Sequence, residues 1–257
     1  MTILNYQLTS NEPSKPYLTL LHGLFGNLDN LSMVKRALQD RFNILSVDLP
    51  DHGKSPRSNE FSFENYAHSV VRLLEHLQVQ HTHLLGHSLG GKVAMKVALS
   101  RPKVIHKLVV ADIAPVAYSA RHHNVFKALN AVELDSLKSR GDATKVMSEH
   151  LEEVGVAQFL LKSLINNNGN WQWLFNLSLL QRDYGYLSES IESESSYPSP
   201  TLFVKGGKSD YILSEHRPHI MRLFPNSQAK IISSAGHWLH AEKPDTFNRI
   251  VSDFLVK

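Results

Sequence analysis

The chain holds 257 residues, 42% of them hydrophobic, and carries a formal net charge of +3 with its histidines neutral. This is enough apolar material for one large domain, or for a core with an insertion. The absence of cysteine excludes a disulfide framework, a cysteine nucleophile and thiolate metal sites, and the scattered lysines and arginines form no run that reads as a nucleic-acid patch.

The first residues, Met1-Thr-Ile-Leu-Asn-Tyr-Gln-Leu8, have no basic region leading into an apolar run, so no secretory signal is expected. No stretch has the apolar length of a membrane span. The expectation is a cytoplasmic protein with no membrane partner. Tyr17-Leu-Thr-Leu-Leu21 reads as a short strand and runs straight into His22-Gly23-Leu24-Phe25-Gly26. Leu31 to Leu38 has helical spacing, and Phe42 to Val47 is a second strand. Between Phe63 and Leu77, apolar residues recur at Tyr66, Val70, Leu73, Leu74 and Leu77, a helical period. A strand over 82–86, a helix over 89–100 ended by Arg101-Pro102, and a strand over 107–111 follow. Strands alternating with helices predict an α/β fold, a mostly parallel sheet flanked by helices, with its site at the carboxyl ends of the strands.

The rhythm breaks after Asp112. From about 116 to 196 the pattern is helical with no buried strand. Asn166-Asn-Asn-Gly-Asn170 reads as a loop ahead of the aromatic residues Trp171, Trp173 and Phe175. Ser193 to Pro200 reads as a boundary. The alternation resumes with a strand at 201–204, a helix at 217–224, a strand at 229–232 and a last helix from Pro244, well suited to a first helical position. Residues 1–115 and 197–257 are thus expected to form one core, interrupted by a helical insertion over 116–196.

Chemistry enters at Gly86-His87-Ser88-Leu89-Gly90, a G-x-S-x-G pattern between the third strand and its helix. A strand that turns into a helix this abruptly forces the middle residue into a sparsely populated backbone conformation and tolerates only small flanking residues. Ser88 is therefore the expected nucleophile. A serine hydroxyl needs a base, and the base needs an orienting acid. His237, in Ser234-Ala-Gly-His237-Trp after the last strand, is the expected base. An oxyanion needs two backbone N–H groups; those of Leu24, after the first strand, and Leu89, after the nucleophile, are the expected donors. His216/His219 and His237/His240 have helical spacing but no third ligand, so no metal site is expected.

These motifs resemble the α/β-hydrolases of the esterase–lipase superfamily. His22-Gly23, Asp48-Leu-Pro-Asp-His-Gly53-Lys-Ser55, Gly86 to Gly90 and Gly236-His237-Trp-Leu-His-Ala-Glu242-Lys-Pro244 match its patterns in order. Val110-Ala-Asp112-Ile-Ala-Pro115 and Gly206-Gly-Lys-Ser209 are similar, more narrowly, to bacterial YbfF-type esterases. The resemblance implies a helical cap over 116–196, no cofactor, and hydrolysis of small to medium acyl esters, and of thioesters, through an acyl-enzyme on Ser88. The alternatives are a carbon–carbon bond hydrolase or lyase-type enzyme on the same triad, and a non-catalytic ligand-binding relative. The acid departs from the common superfamily spacing, since Ser209 stands where an aspartate usually does. Asp112 is favoured by the narrower resemblance, with Ser209 as an extra polar partner of His237, and Asp210 is the alternative. Tyr118, Phe126, Trp171, Phe175 and Trp238 are candidates for the pocket wall. Asp48 and His52 are expected to hold a loop near the site, His87 to pack beneath Ser88, and His240 and Glu242 to order the loop carrying His237.

Overall fold

A computed structural model describes residues 2–256. The elements in chain order are β1 (Tyr6–Leu8), β2 (Tyr17–Leu21), α1 (Ser32–Leu38), β3 (Asn43–Val47), α2 (Phe63–His76), β4 (Thr82–His87), α3 (Leu89–Ser100) and β5 (Ile105–Ala111). A second group, α4 (His123–Ala131), α5 (Arg140–Ser148), α6 (Val154–Leu161), β6 (Leu164–Asn167), β7 (Asn170–Trp173), α7 (Leu177–Arg182) and α8 (Tyr184–Leu187), interrupts the alternation. It resumes with β8 (Thr201–Gly206), α9 (Arg217–Leu223), β9 (Ser227–Ile232), α10 (Leu239–Glu242) and α11 (Pro244–Val256).

Seven strands form one sheet in the order β1-β3-β2-β4-β5-β8-β9. Only β1 runs antiparallel to its neighbour. Successive side chains of a strand point to opposite faces, and the core divides accordingly. In β4, Leu84 belongs to the cluster with Val70, Leu73, Val93 and Val97 of α2 and α3. Its neighbour Leu85 belongs to the cluster with Val34, Leu38, Phe247 and Val251 of α1 and α11. Both faces are covered, which is why these strands read as unbroken apolar runs rather than alternating ones.

The sheet and its helices follow the sequence reading within a few residues, with three additions. β1 is a three-residue edge strand, too short to show a period. The tract 166–170, read as a loop, is the tip of a hairpin between β6 and β7. Asn168 and Gly169 take φ of 51° and 93° there, the left-handed pair that a tight hairpin turn requires of Asn-Gly. The single turn of α10 follows His237 directly.

The inserted segment leaves the core after β5 and returns before β8. Its two chain crossings form a neck: Tyr118 N–H donates to the Ser188 carbonyl at 2.9 Å, and Ile191 N–H to the Pro115 carbonyl at 2.9 Å. It is also tied to loops at the carboxyl ends of the strands. Asn176 donates its backbone N–H to the Asp51 carbonyl and its side-chain amide to the Asp51 carboxylate, at 2.8 and 2.9 Å, and the Ser163 hydroxyl donates to the Phe25 carbonyl at 2.9 Å.

Candidate active site

Ser88 stands between β4 and α3 with φ 53° and ψ −120°, a region that non-glycine residues occupy only when their surroundings impose it. The crowding is measurable. A Cβ on Gly86 would lie 2.1 Å from the Gly90 carbonyl oxygen, and one on Gly90 would lie 2.3 Å from that of Leu21. Ser88 N–H donates to the Ala111 carbonyl at 3.0 Å, so the turn is fixed to the neighbouring strand. The Ser88 side chain caps no N–H of α3.

Asp112 follows the last residue of β5, fully buried and also at positive φ, 50°. Its Oδ1 accepts from Gly206 N–H at 2.8 Å. Its Oδ2 lies 2.8 Å from His237 Nδ1 and also accepts from the Ser209 hydroxyl. Nδ1 therefore carries its proton toward Asp112, which leaves His237 Nε2 for proton exchange. Asp210 points elsewhere. Its side chain is 70% exposed and pairs with Arg121. The Ser209 hydroxyl, at the displaced position, thus turns inward to the buried carboxylate, while the next side chain faces solvent.

The loop carrying His237 is held from several sides. Gly236 N–H donates to Glu242 Oε2 at 2.8 Å. His87 Nε2–H donates to the His237 carbonyl at 2.9 Å, and the His240 ring lies 4.4 Å from that of His87. The Tyr211 ring stacks on His237 at 4.1 Å. Burial pushes His240 down to about 3 and His87 well below its usual range, so both stay neutral beside His237. Asp48 accepts from Leu28 N–H, Asn5 Nδ2 and Lys54 N–H at 2.7, 2.7 and 2.9 Å and so knots three loops together. His52 is fully buried beside His22, with ring centroids 5.2 Å apart. His22 donates through Nδ1 to the Gly23 carbonyl and accepts Leu49 N–H at Nε2, at 2.8 and 3.1 Å. The Leu24 N–H, just beyond, donates to no protein acceptor among the described residues.

Two small pockets, each about 50 Å³, meet at Ser88, Leu24 and His122. One is apolar, walled by Val125, Val156, Phe159, Leu160 and Trp238, and contains His237. The other is walled by Lys92, Tyr118, Arg121, Tyr184 and Tyr211 together with Leu89, Ile113 and Leu187. Of the expected wall residues, Tyr118 and Trp238 line these pockets, whereas Phe126, Phe175 and Trp171 do not. Phe126 and Phe175 are buried against Phe25, at centroid distances of 5.5 and 5.0 Å, as packing of the inserted segment. Trp171 sits on β7 of the hairpin. Lys92, Arg121, His122 and Tyr211 were absent from the sequence reading. Lys92 carried a usable signal, because four residues after Ser88 a helical side chain returns to the same face. Burial lowers Lys92 to about 7 and His122 to about 4.

The sequence model of the alpha/beta hydrolase fold matches residues 16–244. The chain belongs to that family. This hydrolase is 38% identical over 250 residues to Esterase YbfF of Escherichia coli (strain K12), a match covering 97% of this chain and 96% of that one. It is 36% identical over 261 residues to the sn-1-specific diacylglycerol lipase ABHD11 of Mus musculus, covering 98% of this chain and 85% of the other. Among solved structures, a marine microorganism esterase superposes with a TM-score of 0.95 at 29% identity, covering 99% of this hydrolase and 100% of its own chain. The protein is a hydrolase of the carboxylesterase type.

Proposed function

We propose that this hydrolase cleaves carboxylic esters, and acyl thioesters by the same steps, through an acyl-enzyme on Ser88. The observation that carries the reading is the 2.8 Å contact of His237 Nδ1 with the buried Asp112 carboxylate, beside a pocket shared by Ser88 and His237. As Ser88 Oγ attacks the acyl carbon, His237 Nε2 takes its proton. Asp112 stabilises the imidazolium, and the Ser209 hydroxyl and Gly206 N–H hold that carboxylate in place. The Leu24 and Leu89 N–H groups donate to the developing oxyanion. His237 then returns the proton to the leaving alcohol or thiol. Water, deprotonated by the same nitrogen, attacks the acyl-enzyme and releases the acid and Ser88. The apolar pocket supports an acyl chain of small to medium length. No cofactor takes part in these steps.

The test uses p-nitrophenyl esters of acetate, butyrate, octanoate and palmitate with the matching thioesters, together with a fluorophosphonate probe. Wild-type protein is expected to be labelled and to turn over the shorter esters. Ser88→Ala should escape labelling and lose at least about 10⁴-fold in kcat, the scale seen when a member of a serine triad is removed, with its circular dichroism unchanged. Retained turnover in the alanine variant sinks the reading.

A further inference from the structure

Lys92 is only 2% exposed, although it carries an ammonium group. Among the described residues, no carboxylate pairs with it. Its Nζ donates to the Ser188 carbonyl at 3.3 Å and to the Glu189 carbonyl, and the rings of Tyr118 and Phe63 lie 4.9 and 5.5 Å from it. A buried cation without a counter-ion is costly unless its donors are satisfied, and here two backbone carbonyls and two ring faces satisfy them. Those carbonyls belong to the returning crossing of the neck. Ser188 also accepts Tyr118 N–H from the outgoing crossing, at 2.9 Å. The other end of the same lysine is rooted in α3, where Lys92 N–H donates to the Ser88 carbonyl at 3.1 Å. One side chain therefore links the nucleophile's helix to both chains of the neck, and it lines the second pocket beside Ser88.

We infer that Lys92 is a positioning residue that clamps the neck of the inserted segment to the nucleophile helix and thereby sets the neck-side wall of the Ser88 pocket. With the clamp closed, Tyr118 is held against Ala114 and Tyr211, whose backbone its hydroxyl bridges. With it open, the neck is free to move away from α3 and the pocket loses its shape, while the hydrogen bond between His237 and Asp112 involves no atom of the neck. Loss of the clamp should therefore act on substrate binding more than on the chemical step. Deprotonation weakens the same contacts, because a neutral amine has one donor fewer and no charge. Burial lowers Lys92 to about 7, so this loosening falls near neutral pH. The other charged or titratable groups around it are Glu189, which opposes the lowering, Glu64, paired with Lys96, and Tyr118, Tyr184, Tyr211, Arg121 and His122 along the pocket. Burial moves Tyr118 and Tyr211 upward and His122 down to about 4, away from neutrality.

The kinetic part of the test rests on the esterase reading, whereas backbone exchange does not, so the two can fail separately. Lys92→Met keeps the length of the side chain and removes charge and donors; Lys92→Gln keeps a neutral donor. For p-nitrophenyl butyrate, Lys92→Met is expected to raise KM at least fivefold with kcat within twofold, and Lys92→Gln to restore part of the loss. Wild-type KM should rise above neutral pH with an inflection that Lys92→Met lacks. Hydrogen–deuterium exchange over 112–120 and 184–192 should quicken in Lys92→Met and stay unchanged over α1 and α11. Wild-type KM and wild-type exchange in Lys92→Met overturn the inference, as does a Gln variant no better than Met. If Lys92→Met fails to fold, exchange of wild-type protein decides. Neck amides must lose protection between pH 6 and 9 relative to those of α1, and constant relative protection overturns the clamp.

Discussion

At the scale of single residues, the two aspartates that compete for His237 differ in everything but chemical type. Asp112 is wholly buried and receives three donors, from Gly206, Ser209 and His237. Asp210 lies mostly in solvent against Arg121. An amide at position 112 keeps the shape but presents an NH₂ or a neutral oxygen to the imidazole, which then adopts the wrong tautomer and loses the stabilisation of its cation. Asp112→Asn is expected to lower kcat by about 10³- to 10⁴-fold with little change in KM. Asp210→Asn should stay within about threefold, since a solvent-exposed pair contributes little. Steady-state kinetics of the two variants side by side checks this, and the opposite ranking would transfer the acid's role to Asp210.

Among the elements, the turn from β4 into α3 is the most constrained. Gly90→Ala puts a methyl group 2.3 Å from the Leu21 carbonyl and 2.4 Å from that of His22, backbone atoms of the sheet that cannot swing aside. A loss of about 3 kcal/mol or more is expected in urea unfolding, the upper range for overpacking. Gly155, near the start of α6, is the internal comparison: a Cβ there meets nothing within 4 Å. Gly155→Ala should gain about 0.5 kcal/mol from helix propensity. The contrast shows what a sequence can and cannot disclose. The sheet, its helices and the elbow were legible because apolar periodicity and glycine spacing act locally. The hairpin of β6 and β7 was legible in principle from Asn168-Gly169, but its strands are four residues each, with one buried residue apiece. The acid was open because Ser209 and Asp210 are adjacent, and only the path of the chain after Gly206 decides which turns inward. The pocket wall was half read for a similar reason. Tyr118, Phe126 and Phe175 all lie in or beside the inserted segment, and only its docking angle separates wall from packing.

Across the whole molecule, buried histidines tie stability to pH. Burial lowers His22 and His122 to about 4 and His52 and His240 to about 3, whereas in the unfolded chain each titrates near 6.5. Between those values the unfolded chain binds more protons than the folded one, so stability rises with pH up to about 6.5 and is lost as pH falls below it. Each such histidine contributes at most about 1.4 kcal/mol per pH unit in that window. The melting temperature is therefore expected to be level in this respect just above pH 6.5 and to fall steeply toward pH 4. His240→Gln should flatten the descent by about one proton's slope; an unchanged slope would show that His240 already takes up its proton in the folded protein.

The position of Asp112 in the chain has a consequence for the order in which the protein is made. All three of its donors are supplied by residues 206–237, after the whole inserted segment. A nascent chain that has emerged only as far as β7 contains the serine turn, both expected oxyanion donors and the carboxylate, but neither the imidazole nor a single donor for that carboxylate. Ribosomal synthesis is slow relative to the formation of local structure. The half-made core must therefore keep Asp112 in water and leave the edge of β5 unpaired until β8 arrives. On the proposed reading, hydrolytic competence is thus acquired in one late step, when residues 201–237 close the sheet around a proposed nucleophile positioned long before.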